Sequence, residues 1–95
     1  MKVKTTLWDT AEHLHNEAEI DAYLAASFED GDVRQITMAL NNALRARRRI
    51  ASVARETGRD RAGLYRALSG GTDPRFSTIL KIAGACGGRI AFIPN

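Results

Sequence analysis

The sequence predicts an all-α fold, a bundle of five to six helices, with room for one short β-strand at the C-terminus. Three observations lead to this prediction. Apolar residues recur at spacings of three and four through most of the chain, which is the period of a helix with one buried face. Residues that cap helices or form turns separate these stretches. The chain has 95 residues, and this length suits one small domain.

The first half of the chain predicts a short helix followed by two longer ones. Asp9 or Thr10 can cap a helix through residues 11–14, because short polar side chains accept hydrogen bonds from free backbone N–H groups. Residues 20–28 continue helically, and Asp32 is placed to cap a third helix over residues 33–46. The two predicted apolar faces comprise Ile20, Tyr23, Leu24 and Phe28 in the first case, and Ile36, Ala39, Leu40, Ala43 and Leu44 in the second.

Residues 50–68 predict two short helices around a glycine turn. Gly58 lies where the first of these helices must end in a left-handed conformation, which costs glycine little. Asp60 follows as the predicted N-cap of the second helix. Ala54, Gly58 and Leu64 have the spacing of a DNA-binding helix-turn-helix.

The C-terminal third predicts a loop, one helix and a short strand. Residues 69–74 are rich in helix-breaking residues, and a helix follows from Phe76 to Cys86. Its inward-facing residues are predicted to be Phe76, Ile79, Leu80, Ile82 and Ala83, with Cys86 as a small core residue. Gly87 and Gly88 end this helix. Residues 89–94 alternate weakly as a strand does. Such a strand needs a partner, either from a short extended arm at residues 1–8 or from a second subunit.

The charge of the chain divides it into two segments, 1–31 and 32–95. Residues 1–32 carry two basic against eight acidic side chains, whereas residues 33–95 carry twelve basic against three acidic ones. A basic segment that coincides with a helix-turn-helix pattern is the expected footprint of phosphate binding. The acidic segment would be repelled by DNA, so we expect it to face a basic protein partner or to dimerise. The alternative is that both charged faces are merely solvated.

The second helix of the pair supplies the predicted base contacts. With Leu64 and Leu68 inward, the side chains left toward solvent are those of Arg61, Ala62, Tyr65 and Arg66. Arg61 is placed for a bidentate contact to guanine, or for a phosphate contact. Tyr65 contacts a thymine methyl group or a phosphate, or it is a half-buried packing residue. Gly63 lets its backbone approach either the DNA groove or the preceding helix. Predicted phosphate contacts are Arg47, Arg48, Arg49, Ser52, Thr72 and Arg75, although the triple arginine also fits a solvated turn.

The sequence offers no support for an enzyme, a cofactor or a metal site. His13 and His15 are two residues apart and would point to different faces of a helix, with no third ligand at a useful spacing. No Ser/His/Asp or Cys/His constellation is present. No apolar run is long enough to span a membrane, and the N-terminus lacks a signal-peptide core. With its single cysteine, the chain is therefore expected in the cytoplasm.

With these residues in view, the chain resembles the addiction-module antidote (antitoxin) family of bacterial helix-turn-helix proteins. The resemblance rests on Trp8-Asp9-x-Ala11-Glu12-x-Leu14, Glu19-Ile20-x-x-Tyr23-Leu24, Glu29-Asp30-Gly31-Asp32, Ala54-Arg55-Glu56-Thr57-Gly58, Leu64-Tyr65-Arg66-Ala67-Leu68-Ser69 and Asp73-Pro74-x-Phe76. Residues 76–82 look like the closing helix of the wider phage-repressor class, which includes HigA-like antitoxins. The chain departs from the family pattern at Arg49, where glycine is common, at Ala51, where a Ser/Thr cap is usual, and at Arg59, where the turn residue is apolar.

The resemblance implies a dimer that neutralises a small basic toxin of the RelE/ParE type and represses its own operon by binding operator DNA. It implies no catalysis. Together with the acidic charge, it places the partner contacts on Trp8, Asp9, Glu12, Glu19 and Tyr23. The alternative is a stand-alone helix-turn-helix regulator whose N-terminal helices serve only to dimerise. A small basic open reading frame beside the gene would favour the antitoxin.

Overall fold

The structure, a computed structural model, describes residues 9–69 and 73–95. These ranges contain a short 3-10 turn and five α-helices. The turn is Thr10–His13, and the helices are α1 (Glu17–Asp30), α2 (Val33–Ala46), α3 (Ile50–Glu56), α4 (Arg61–Ala67) and α5 (Phe76–Ala85). The prediction of an all-α fold is confirmed for the described ranges. No described helix is long and apolar enough to cross a membrane.

Polar side chains fix where α1 and α2 begin. Asn16 accepts a hydrogen bond from the backbone N–H of Glu19 at 2.9 Å, and the Glu19 carboxylate accepts from the N–H of His15 at 2.7 Å. The pair is similar to a capping box, with asparagine as the N-cap and with Glu19 bonding the N–H of the residue before the cap rather than that of the cap itself. Asp32 accepts from the N–H of Arg34 at 3.0 Å, as predicted. Gly31, at φ +79°, ends α1 in the left-handed conformation that favours glycine.

One core holds the five helices together. It includes Leu40, Leu44, Ile50, Val53, Ala54, Leu64, Leu68, Ile82 and Cys86, with Leu24 and Phe28 of α1 packed against it. The acidic and basic segments therefore share a single core. The predicted apolar faces of α1 and α2 both turn inward, with Ile20 buried and Tyr23 half-buried.

Three details of the sequence prediction are corrected. The first predicted helix is only the 3-10 turn, so the described α-helices number five rather than six. Residues 89–95 form no strand within the described ranges, because a strand needs a hydrogen-bonded neighbour and none of the described segments pairs with them. Phe76 and Leu80 of α5 are 66% and 43% exposed rather than inward, because the face that meets the core carries Thr78 together with Ile82 and Ala83, the last two as predicted.

Candidate nucleic-acid interface

The turn between α3 and α4 sets the angle of the helix pair. Gly58 has φ +74°, as the sequence predicted. Its N–H donates to the carbonyl of Arg55 at 3.1 Å, and the N–H of Arg59 donates to the carbonyl of Ala54 at 2.7 Å. These two bonds form a Schellman motif, which satisfies carbonyls that the end of α3 leaves free. The Arg59 guanidinium then donates to the Thr78 hydroxyl at 3.0 Å and ties the turn to α5.

The start of α4 depends on one aspartate and one glycine. Asp60 accepts a hydrogen bond from the backbone N–H of Gly63 at 2.7 Å, which confirms the predicted N-cap. A Cβ added at Gly63 would lie 3.0 Å from the same Asp60 carboxylate oxygen. The nearest obstacle to a side chain at this position is therefore the capping carboxylate of its own helix, rather than another helix.

Helix α4 has one buried and one exposed face. Leu64 and Leu68 are 0% and 1% exposed and belong to the core. The opposite side presents Arg61, Ala62, Tyr65 and Arg66 to solvent, with Tyr65 43% exposed. This arrangement places two guanidinium groups and one phenol on the exposed face of a short helix, where they are accessible to another molecule.

The three consecutive arginines have different environments. The Arg47 side chain is only 11% exposed, and it bonds Glu17 at 2.7 Å and Asp21 at 3.0 Å. It also donates to the backbone carbonyl of Cys86. Arg49 donates to the carbonyl of Ala85 at 3.0 Å. Both arginines therefore bind the C-terminal end of α5, where free carbonyls carry partial negative charge.

Arg49 and Ser52 also interact with each other. The Nε of Arg49 donates to the Ser52 hydroxyl at 3.2 Å, and that hydroxyl donates to the Arg49 carbonyl at 3.1 Å. A second Arg49 nitrogen bonds Glu56 at 2.9 Å. The structure thus gives Arg47, Arg49 and Ser52 partners inside the fold, and Arg48 is the member of the triplet left exposed.

Arg48 adopts a conformation that ordinarily favours glycine. Its φ is +57°, and among the described residues it is the non-glycine residue with positive φ. The N–H of Arg48 bonds the carbonyl of Arg45 at 3.0 Å, and the N–H of Arg49 bonds the carbonyl of Leu44 at 2.8 Å. Helix α2 therefore ends in a second Schellman motif, with arginine at the position that glycine fills most easily.

A cationic cleft lies where the end of α2 meets α3 and α4. Its volume is about 310 Å³, and its lining consists of Arg45, Arg48, Ile50, Ala51, Arg61 and Tyr65. Arg45 is the residue that the sequence analysis missed. Helical spacing does not relate it to Arg48, which lies beyond the end of α2 in a left-handed conformation, so the sequence carried no signal that places the two side chains together.

Asp9 lies against this cleft through Arg45. Its two carboxylate oxygens accept from the two terminal nitrogens of Arg45 at 3.1 and 2.5 Å. The hydrogen bond from Arg45 holds the pKa of Asp9 below its usual value. Asp9 also caps the first turn by accepting from the N–H of Ala11 at 3.2 Å. This predicted partner residue therefore contacts the basic side of the molecule.

The remaining predicted site residues lie elsewhere. Arg75 is exposed at the start of α5 and makes no side-chain capping bond. Glu12 and Glu19 are exposed, and the Tyr23 hydroxyl accepts from the Asn42 amide at 2.9 Å. Trp8 and Thr72 lie outside the described residues. His13 and His15 have separate neighbours, the Asp9 carbonyl at 3.1 Å and the Glu19 carboxylate at 3.7 Å.

The acidic helix α1 borders an apolar groove. Its sequence contains five acidic and no basic residues. Between α1, α2, the end of α5 and the C-terminal tail lies a groove of about 720 Å³ that includes Leu24, Phe28, Ile90 and Ile93. Phe92, next to it in the tail, is 91% exposed. The sequence predicted a strand over residues 89–94, and no pattern in it indicated the groove.

Comparisons with known proteins point to one family. The family described as "Probable addiction module antidote protein" matches residues 4–94. A protein of Haemophilus influenzae described as uncharacterized is 41% identical over 78 residues, which cover 82% of this chain and 79% of that protein. No solved structure matches the chain.

Proposed function

The chain belongs to the family of probable addiction module antidote proteins, and on that premise we propose that it neutralises a basic toxin and represses its own operon. The toxin class proposed is the RelE/ParE type, and the DNA-binding unit proposed is a HigA-like, phage-repressor-type helix-turn-helix made by α3 and α4. The exposed face of α4 is the observation that carries the DNA-binding half. Arginines and a tyrosine cover this face while leucines anchor the other one in the core.

The proposed geometry inserts α4 into the major groove. The N-terminal residues of a recognition helix lie nearest the base edges, and here these are Arg61 and Ala62, followed by Tyr65. Arg66, Arg48 and Arg75 are exposed, and in this proposal they contact phosphates. Arg47 and Arg49 contribute by holding α2, α3 and α5 in place rather than by direct contact. Two such units in a homodimer would read half-sites one helical turn apart.

The partner half of the proposal places the toxin on α1. Two acidic residues of this helix, Glu17 and Asp21, are held by Arg47. Glu29 and Asp30 are exposed and make no ion pair within the described ranges. An acidic helix beside an apolar groove suits a basic partner that also buries apolar side chains. The acidic charge of the helix therefore supports a toxin contact.

Operator binding tests the DNA half. The duplex would be the sequence directly upstream of the gene, and the variant would be Arg61→Ala. We expect about a tenfold loss of affinity and relaxed base choice at one position per half-site, because a bidentate guanine contact discriminates by about that much. Arg34→Ala is the matched control. It removes an equal charge from an exposed residue at the N-terminal end of α2, whereas the C-terminal end of α2 adjoins α3 and α4. If the two variants lose operator affinity equally, Arg61 does not recognise a base.

Growth rescue separates an antitoxin from a stand-alone regulator. The chain would be co-expressed with the small open reading frame beside its gene, and growth and co-purification would be measured. A stable complex that restores growth supports the antitoxin. If the chain binds its operator but neither forms a complex with the product of that reading frame nor restores growth, the alternative holds and the protein is a stand-alone regulator.

A further inference from the structure

We propose that the cationic cleft between α2, α3 and α4 binds a phosphate group of the DNA backbone, and that Asp9 occupies the Arg45 side of this cleft in the free protein. This inference rests on the proposed DNA-binding function and adds to it a site and an internal competitor. Its central residue is Arg45, which the sequence pattern did not mark as a DNA contact.

The chemistry of the cleft fits an anion with several oxygen atoms. Arg45, Arg48 and Arg61 converge on it, and Tyr65 adds a hydroxyl group. Within the described ranges, the guanidinium groups of Arg48 and Arg61 donate no hydrogen bond to any residue. Arg48 is therefore available to a phosphate, whose oxygens match a guanidinium group in geometry and charge, and Arg61 is available to the base edge proposed above.

The same cleft adjoins the face of α4 that we propose to enter the major groove. Arg61 and Tyr65 belong to both surfaces. A phosphate bound in the cleft would therefore lie beside the bases that Arg61 contacts, and it would fix the register of α4 on the duplex.

Asp9 already presents an anion to this site. Its two oxygens meet the two terminal nitrogens of Arg45, which is the bidentate arrangement that a phosphate adopts on arginine. The two side chains remain 29% and 38% exposed. Because partly exposed ion pairs contribute little net free energy, a backbone phosphate can displace the carboxylate. It carries the same single charge, but the neighbouring phosphates of the duplex add to the attraction.

The backbone of Arg48 is consistent with a functional use of its side chain. Arginine in the left-handed conformation is less favourable than glycine. The side chain is exposed, so its packing does not compensate for that cost. An outside ligand that binds the guanidinium group gives a physical reason for arginine at this position.

If Asp9 competes with phosphate for Arg45, the wild-type protein binds DNA with lower affinity than a variant without this carboxylate. While Asp9 holds Arg45, one cation of the cleft is neutralised. Removing the negative charge at residue 9 should add one effective phosphate contact. The slope of log affinity against log salt should then steepen by about 0.9.

The decisive variant is Asp9→Asn, which keeps a side chain able to cap the 3-10 turn while removing the charge. Binding to a duplex of random sequence would be followed by fluorescence anisotropy between about 50 and 200 mM salt. We expect affinity to rise about threefold or more at the low-salt end, with the steeper slope. Glu12→Gln is the matched control, because it removes an equal charge three residues away that acts on Arg45 through space, without the hydrogen bonds that Asp9 makes.

A double-mutant cycle assigns the effect to Arg45. In an Arg45→Ala background, which should itself weaken binding, Asp9→Asn should no longer raise affinity beyond the Glu12→Gln control. Equal effects of Asp9→Asn and Glu12→Gln, or an undiminished gain without Arg45, would overturn the inference while leaving DNA binding intact. A wild-type chain that binds no duplex at any salt concentration would overturn the proposed DNA-binding function as well.

Discussion

The contact between Gly63 and the capping carboxylate of Asp60 gives a quantitative prediction. In most helices a change from glycine to alanine stabilises the folded state by up to about 1 kcal/mol. Here the new Cβ would lie 3.0 Å from the Asp60 oxygen that accepts the Gly63 N–H at 2.7 Å. Relieving this contact moves the carboxylate and weakens an N-cap that contributes about 1 kcal/mol. The two effects should cancel, so we expect Gly63→Ala to change the free energy of unfolding by less than about 0.5 kcal/mol.

Urea unfolding of a double-mutant cycle measures this coupling. Asp60→Ala alone should cost about 1 kcal/mol. In that background Gly63→Ala no longer meets the carboxylate, so it should stabilise by close to its full helix propensity, about 1 kcal/mol. Gly84→Ala is the control, since no neighbouring atom lies within 4 Å of its added Cβ. It should stabilise equally in both backgrounds. Additive effects of Gly63→Ala and Asp60→Ala would refute the reasoning.

Three further predictions concern stability. Leu64→Ala, at a fully buried position, should lower the free energy of unfolding by about 2–5 kcal/mol in urea. Arg48→Gly should raise it by about 1 kcal/mol, because glycine adopts positive φ without strain, and should weaken DNA binding at the same time; a destabilised variant would contradict this. Burial raises the pKa of the Cys86 thiol to about 11. The unfolded thiol ionises first, so stability should fall as pH rises from about 9 toward 11, and Cys86→Ala should show a shallower decline.

The candidate site was only partly predictable from the sequence. The residues on the solvent side of α4, including Arg61 and Tyr65, follow from the inward positions of Leu64 and Leu68 at helical spacing. The roles of Arg47 and Arg49 did not follow, because their partners at the end of α5 are more than 30 residues away in the chain. The sequence shows only that all three arginines are cationic. Packing decides that Arg47 and Arg49 bind groups within the fold and that Arg48 is exposed.

The position of Asp9 is the clearest example of a tertiary effect. The family resemblance, together with the acidic charge of this segment, predicted that Asp9, Glu19 and Tyr23 contact a partner protein. The fold brings Asp9 to Arg45, 36 residues further along the chain, a contact that no local pattern indicated. Helix α5 shows the same limit in part. Ile82 and Ala83 are buried as predicted, but contact with the core buries Thr78 and leaves Phe76 and Leu80 exposed.

The sequence by itself determined the local structure of this protein. The caps at Asp32 and Asp60, the left-handed turn at Gly58 and the apolar faces of α1 and α2 depend on neighbours within about one helical turn. The tertiary structure alone decided which arginines remain exposed, where Asp9 lies and which face of α5 is buried. These features depend on distant segments meeting, and their energies arise only when one shared core brings those segments together.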